Sequence, residues 1–294
     1  MSTFQLFPSS GGLGFMDTSA DPPLPPPPPP IEVLASQVSS TVNCSMEPLY
    51  LDGLTLLKGR VNTKEVFGLP NSDLVPGVYE GGLKLWEGSL DLIKALRSEV
   101  QNGHLSFTGK RVLELGCGHG FPGVFACLEG ATAVHFQDFN AEVLQCLTIS
   151  NGKANLRKQF QAAVSDEANS DSGTELRFFA GDWSQIHQIL PFVNEKEMNS
   201  STEDSFSGYD IILMAETIYS VSAQQSLYGL IKKCISCPHG VVYLAAKKHY
   251  FGVGGGTRQF LSMVEKDGLM ASTLVAEVAD GSSNVREVWK LWIK

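Results

Sequence analysis

From residue 108 onward the chain alternates short apolar runs with segments whose apolar residues recur every three or four positions. The runs are RVLELG (111–116), AVHFQDF (133–139), RFFAGDW (177–183), YDIILMAE (209–216) and GVVYLAAK (240–247). Each is bounded by turn residues, and consecutive positions within it are apolar, the pattern of a strand buried on both faces. Between them, 121–129, 140–156, 184–192 and 222–235 carry helical spacing, with Asn140 and Ser222 as N-cap candidates. Strand and helix in alternation predict an α/β fold, a mostly parallel sheet with helices on both faces. The ending departs from that alternation. TLVAEV (273–278) and REVWKLWI (286–293) flank the turn residues ADGSSNV and predict a C-terminal antiparallel hairpin. Upstream, VYEGGLKLWEGSLDLIKAL (78–96) opens on a Gly-Gly turn and becomes a helix. Gly254–Gly256 are expected either to admit a peptide backbone closely or to act as a hinge into a helix over 257–267.

Residues 1–47 read differently. They hold SSGGLGF and DPPLPPPPPP, and proline at that density forms an extended stretch that cannot continue a helix or a central strand. The expectation is a disordered tail over 1–47 and one folded domain over 48–294. The tail is either a passive tether or a ligand for a proline-recognition partner. The polar stretches 161–175 and 194–208 are expected as surface loops.

Of the 294 residues, 43% are hydrophobic and 18% charged, as in an ordinary globular protein. The formal net charge of −9 is unevenly spread. Residues 1–57 hold five acidic residues and no Lys or Arg, and 161–207 hold nine acidic residues against Arg177 and Lys196. The remainder is slightly basic, with no Lys/Arg-rich run, which argues against a nucleic-acid footprint. No apolar run reaches membrane-spanning length, and the N-terminus lacks the features of a signal or transit peptide, so cytoplasm or nucleus is expected. Six cysteines do not make a disulfide scaffold, and the Cys234–Cys237 pair lacks the further ligands a zinc site needs. No metal is expected, and the chain is read as a monomer.

The chemistry centres on VLELGCGHGFPG (112–123). Gly118, Gly120 and Gly123 satisfy G-x-G-x-x-G, a weak signal alone. The strand end gives a better frame, Glu114-x-Gly116-x-Gly118-x-Gly120. Glycines at alternate positions let a ligand lie against bare backbone. An acidic residue at the strand end suits a ligand with an ammonium group and no pyrophosphate, and S-adenosyl-L-methionine is such a ligand. In QDFN, Asp138 is placed to accept from ribose hydroxyls, flanked by Phe139 and Asn140. In GDW, after Gly181, Asp182 suits the adenine amine and Trp183 the ring face. In LMAETIYS, Glu216 and Tyr219 are the candidates to face the transferred methyl group and its acceptor, Glu216 being equally readable as a structural anchor. Trp86 and Glu87 fall where the upstream helix would cap the pocket. Each has a plainer alternative: a helix cap for Asp138, a turn for Asp182, core packing for Trp183.

VYEGGLKLWE, VLELGCGHGFPG, QDFN, GDW, AETIY and HYFGVGGGTRQF, in this order, resemble the eukaryotic histidine protein methyltransferases over about residues 50–294. The resemblance implies a Rossmann-like class I methyltransferase fold with a seven-stranded sheet and S-adenosylmethionine as cofactor. It also implies methylation of the tele nitrogen of a histidine in a large-subunit ribosomal protein. It assigns cofactor contacts to Trp86, Glu87, Gly116, Asp138, Gly181–Trp183 and the Glu216 region. A histidine acceptor is chemically undemanding, because imidazole titrates near ~6.5, whereas a lysine near ~10.4 must first lose a proton. A lysine methyltransferase on the same fold, and a catalytically silent scaffold, are the alternatives.

Overall fold

The computed structural model describes residues 26–39, 42–69, 73–157, 173–193, 208–279, 281 and 284–294. The strands are β1 (Ile31–Val33), β2 (Ser45–Leu51), β3 (Leu54–Arg60), β4 (Arg111–Leu115), β5 (Ala133–Asp138), β6 (Glu175–Ala180), β7 (Ile211–Ala215), β8 (Val241–Lys247), β9 (Met270–Val278) and β10 (Arg286–Ile293). The main sheet runs β1-β6-β5-β4-β7-β8-β10-β9, and β2 and β3 form a separate hairpin. From β6 through β8 all neighbours are parallel. The C-terminal hairpin then pairs antiparallel through β10. Strand order reverses at β4, so a crevice opens beyond the carboxyl ends of β4 and its neighbours, where open α/β sheets bind ligands.

Strand alternation divides the core in two. After the short α1 (Thr63–Phe67), Val112, Val134, Phe136 and Leu213 face α2 (Glu87–Gln101), α3 (Phe121–Leu128) and α4. The last runs through Ala141–Val143, a π-helical stretch Leu144–Thr148, and Ile149–Asn155. Leu113, Leu115, Ile212 and Met214 face α5 (Val221–Cys234) and α6 (Thr257–Asp267). Helices on both faces of a mostly parallel sheet, closed by the hairpin, make this a Rossmann-like α/β fold.

Three local expectations change. The stretch 184–192 holds one 3-10 turn, Ile186–Gln188, rather than a helix. It is too short to offset helix nucleation and runs into Pro191. The helix expected from Ser222 is capped at Ser220, whose backbone is extended while Val221 is already helical. The domain begins upstream of residue 48: β1 adds an eighth strand to the sheet's edge, Val33 is buried, and the β2–β3 hairpin starts at Ser45. Three residues directly after a proline run leave no period-2 pattern to read. Residues 1–25, and most of the polar stretches 161–175 and 194–208, lie outside the described residues.

Candidate functional site

The carboxyl ends of β4, β5, β6 and β7 open into one cleft of about 540 Å³. Its floor is the turn after β4. Gly118 has φ 48, and a Cβ there would stand 2.9 Å from the Gly82 carbonyl oxygen, so a side chain is excluded by conformation and by space. The Gly118 N–H donates to Asp138 Oδ2 at 2.9 Å, and the Asn140 N–H donates to Oδ1 at 3.1 Å. Burial raises the Asp138 carboxyl to about 6, against the pull of these N–H donors. Asp138 therefore caps the turn and lines the cleft at once.

Gln137, which sequence reasoning passed over, ties three strand ends together. Its Nε2 donates to the Gly181 carbonyl at 2.9 Å. Its Oε1 accepts from the Gly116 N–H at 3.2 Å and from Trp183 Nε1 at 2.9 Å. The available signal was an amide beside Asp138 inside a strand-like run, and in the fold it is fully buried. Gly116, Phe139, Gly181, Asp182 and Trp183 all line the cleft. Asp182 also holds its own turn, accepting the Ser184 N–H at 2.8 Å.

A segment spanning residues 76–86 forms a wall of the cleft and meets its floor where Gly82 packs on Gly118, with Gly81, Gly82 and Trp86 in the lining. Trp86 donates its indole N–H to the Gly81 carbonyl at 3.0 Å and precedes the first turn of α2. Neutral His119, lowered by burial to about 4, sits 3.1 Å from the Leu83 carbonyl through Nε2. Asn140 does not line the cleft. Its Nδ2 donates to the Val78 carbonyl at 2.9 Å and its Oδ1 accepts the Glu80 N–H at 3.1 Å, so it positions this wall.

Two more expected contacts, besides Asn140, point elsewhere. Glu114 shares a strand face with Val112 and accepts the Gly123 N–H at 2.7 Å in the first turn of α3. It is buried outside the cleft lining, and burial raises its carboxyl well above the usual range, so it is no partner for a ligand's ammonium. Glu87, one helical step past Trp86, turns away and pairs with Arg286 Nη1 at 2.7 Å.

Beyond β7, Glu216 holds a left-handed φ of 58 and lines the cleft. Tyr250 donates its hydroxyl to Glu216 Oε2. Oε1 is buried against the first turn of α2, where a Cβ on Gly88 would come within 2.6 Å, and has no hydrogen bond of good geometry. Burial raises this carboxyl, while Tyr250 and Lys247 draw it down. The arrangement favours the anchor reading of Glu216. Tyr219 lines the cleft and donates its hydroxyl to Glu80, and burial with the Glu80 charge raises its phenol. Thr217 Oγ1, buried in the cleft lining, has no partner among the described residues. The glycine-rich segment meets the chain's own backbone: a Cβ on Gly255 would lie 2.2 Å from the Tyr219 carbonyl oxygen, and the Gly255 N–H donates to that oxygen at 3.1 Å.

The cleft thus gathers four carboxylates, Glu80, Asp138, Asp182 and Glu216, against one lysine, Lys84. Among the described residues no helix is long and apolar enough to cross a membrane, and no cluster of three His, Cys, Asp or Glu is arranged to hold a metal.

No family model matches the chain. It is 40% identical over 220 residues to the histidine protein methyltransferase 1 homolog of Dictyostelium discoideum, covering 75% of this chain and 60% of that one. The Mus musculus homolog is 36% identical over 220 residues, with coverages of 72% and 57%. The resemblance read from the motifs therefore holds, although the chain spans less than two thirds of these relatives' length. Another Mus musculus protein, EEF1A lysine methyltransferase 3, is 27% identical over 164 residues, 56% of this chain and 55% of that one. A solved SAM-dependent methyltransferase from Agrobacterium tumefaciens covers 85% of this chain and 70% of its own at 15% identity and a TM-score of 0.46.

Proposed function

We infer that this chain belongs to the histidine protein methyltransferases and methylates the tele imidazole nitrogen of a histidine in a protein, with S-adenosylmethionine as methyl donor. The observation that carries this reading is the convergence of Gly116–Gly118, Asp138 and Trp183 in one acidic cleft, at the carboxyl ends of three adjacent strands. The residues fit that cofactor. Gly116 and Gly118 bring backbone without side chains to the cleft lining. The Asp138 carboxylate, already held by N–H groups of its own turn, lines the cleft with acceptor capacity left for a ribose hydroxyl. Trp183, its N–H fixed by Gln137, presents a ring to adenine. The excess of carboxylates suits a cationic ligand.

When bound, S-adenosylmethionine supplies an electrophilic methyl group on a sulfonium. The chain's own part is to hold donor and acceptor in line and to keep the cleft acidic as positive charge passes to the acceptor ring. Both candidate bases already hold a neighbour. Glu216 accepts from Tyr250, and Tyr219 is itself a donor, to Glu80. A neutral imidazole offers its lone pair without prior deprotonation, and the cation that forms sheds its remaining N–H proton to solvent. A lysine would first have to lose a proton. The lower chemical demand of imidazole favours histidine over the lysine alternative.

The expected acceptor is a large-subunit ribosomal protein, met in the cytoplasm or nucleus by a monomeric enzyme. The test incubates the protein with labelled S-adenosylmethionine and ribosomal proteins and locates the label by mass spectrometry. Label on a histidine, lost when that histidine is changed to alanine, is expected. Label on lysine would transfer the reading to the lysine enzymes, and cofactor binding without any transfer would favour a silent scaffold.

A further inference from the structure

The proline run feeds directly into the sheet. Pro30 is followed at once by β1, whose antiparallel register on β6 pairs Ile31 with Ala180 and Val33 with Phe178. That register is pinned at both faces. Val33 is buried in the core, and Arg177 grips Glu32 with two hydrogen bonds of 2.7 Å, Nε to Oε1 and Nη2 to Oε2. One step back along the chain, Pro30 lies beside Gly181, where a Cβ would come within 3.0 Å of the Pro30 Cα. Gly181 opens the turn that carries Asp182 and Trp183. Because β1 runs opposite to β6, the residues before Pro30 continue past the carboxyl end of the sheet, on the side of the cleft formed by Asp182 and Trp183. Pro27 is part of the cleft's lining, although residues 26–29 are exposed.

We propose that Pro26–Pro30 is a built-in strap that walls the nucleoside end of the cofactor cleft, with Pro27 offering its ring to the adenine. The proposal rests on the reading of this cleft as a nucleoside-cofactor site. Physical chemistry suits proline to the task. An extended proline run is already stiff, so holding it over a ligand costs little ordering entropy. Proline has no N–H, so the strap adds no unsatisfied donor to the cleft. Its ring carbons present C–H groups to an aromatic face. The fold positions the strap through β1, and the burial of Val33 and the Arg177–Glu32 pair explain why a three-residue strand holds its place.

The test uses the full chain and two nucleosides, S-adenosylhomocysteine and 5′-methylthioadenosine, which share adenosine and differ in the amino-acid end. Calorimetry compares wild type, the single variant Pro27→Ser, and the triple variant Pro26→Gly, Pro27→Gly, Pro28→Gly. The triple variant should weaken both ligands by a similar factor, about 5- to 10-fold, and Pro27→Ser by a smaller common factor. The apo melting temperature should stay put, since 26–28 are exposed. Wild-type affinity in both variants would overturn the strap while leaving the cofactor reading intact. A loss confined to S-adenosylhomocysteine would also overturn it, by putting the contact at the amino-acid end. A wild-type chain that binds neither nucleoside would overturn the cofactor reading, and the strap with it.

Discussion

A buried carboxyl that caps a turn is pulled in opposite directions by desolvation and by its N–H donors, and at Asp138 desolvation wins, raising it to about 6. A carboxyl whose folded value lies above its unfolded one favours folding fully below the unfolded value, and that contribution is lost as pH rises through about 6. Wild type should therefore lose on the order of 2–3 kcal/mol of apo stability between pH 4 and pH 7.5 relative to Asp138→Asn, measured by chemical denaturation across that range. Cofactor binding should run the other way. Ribose hydroxyls donate more strongly to an ionised acceptor, so affinity for S-adenosylhomocysteine should climb as pH passes 6. In Asp138→Asn it should be flat and weaker by on the order of 2–4 kcal/mol at neutral pH. A wild-type affinity that ignores pH in this window would reduce Asp138 to a turn cap. Most cleft residues were legible one at a time because each sits at a strand end beside a turn. Glu114 and Glu87 were not, since which way a side chain turns depends on strand alternation and helical rotation counted from boundaries the sequence leaves uncertain by a residue.

The short strand β1 shows how an element can be settled by its neighbours alone. It holds three residues, of which Val33 is buried and Leu34, just beyond its end, is 55% exposed. Removing two methyl groups from Val33 by Val33→Ala should cost about 2 kcal/mol and lower the melting temperature by about 4–8 °C. Leu34→Ala should leave it within a degree or two, because little of that side chain leaves water on folding. Equal and negligible shifts for the two variants, read by calorimetry, would mean that β1 contributes nothing to the fold. The pair between Glu32 and Arg177 is partly exposed and should add under about 1 kcal/mol, so it sets register more than stability.

Taken whole, the molecule gathers four carboxylates against one lysine in its cleft. This bears on activity as a function of pH. At saturating cofactor, where the Asp138 titration is silent, turnover with a histidine acceptor should rise through about pH 6–7 and then level off. A lysine acceptor would keep gaining toward pH ~9–10. Acceptor peptides with His→Ala or Lys→Ala changes, assayed at both ends of the range, separate the two. Transfer that survives loss of the histidine would end the histidine assignment.

By itself the sequence determined the parallel core, the terminal hairpin, the glycine floor and the placing of Asp138, Gly181–Trp183 and Tyr219 at strand ends. These follow from local rules: two-sided apolar runs make buried strands, and glycines with acidic residues at their ends make ligand turns. The tertiary structure alone decided that Gln137 joins three strands, that Glu216 is held by Tyr250 thirty-odd residues away in sequence, and that a proline run ends as a wall of the cleft. The reason is range. A hydrogen bond or a buried methyl group between distant segments leaves no periodic mark on either one, and it exists only once the sheet has brought them together.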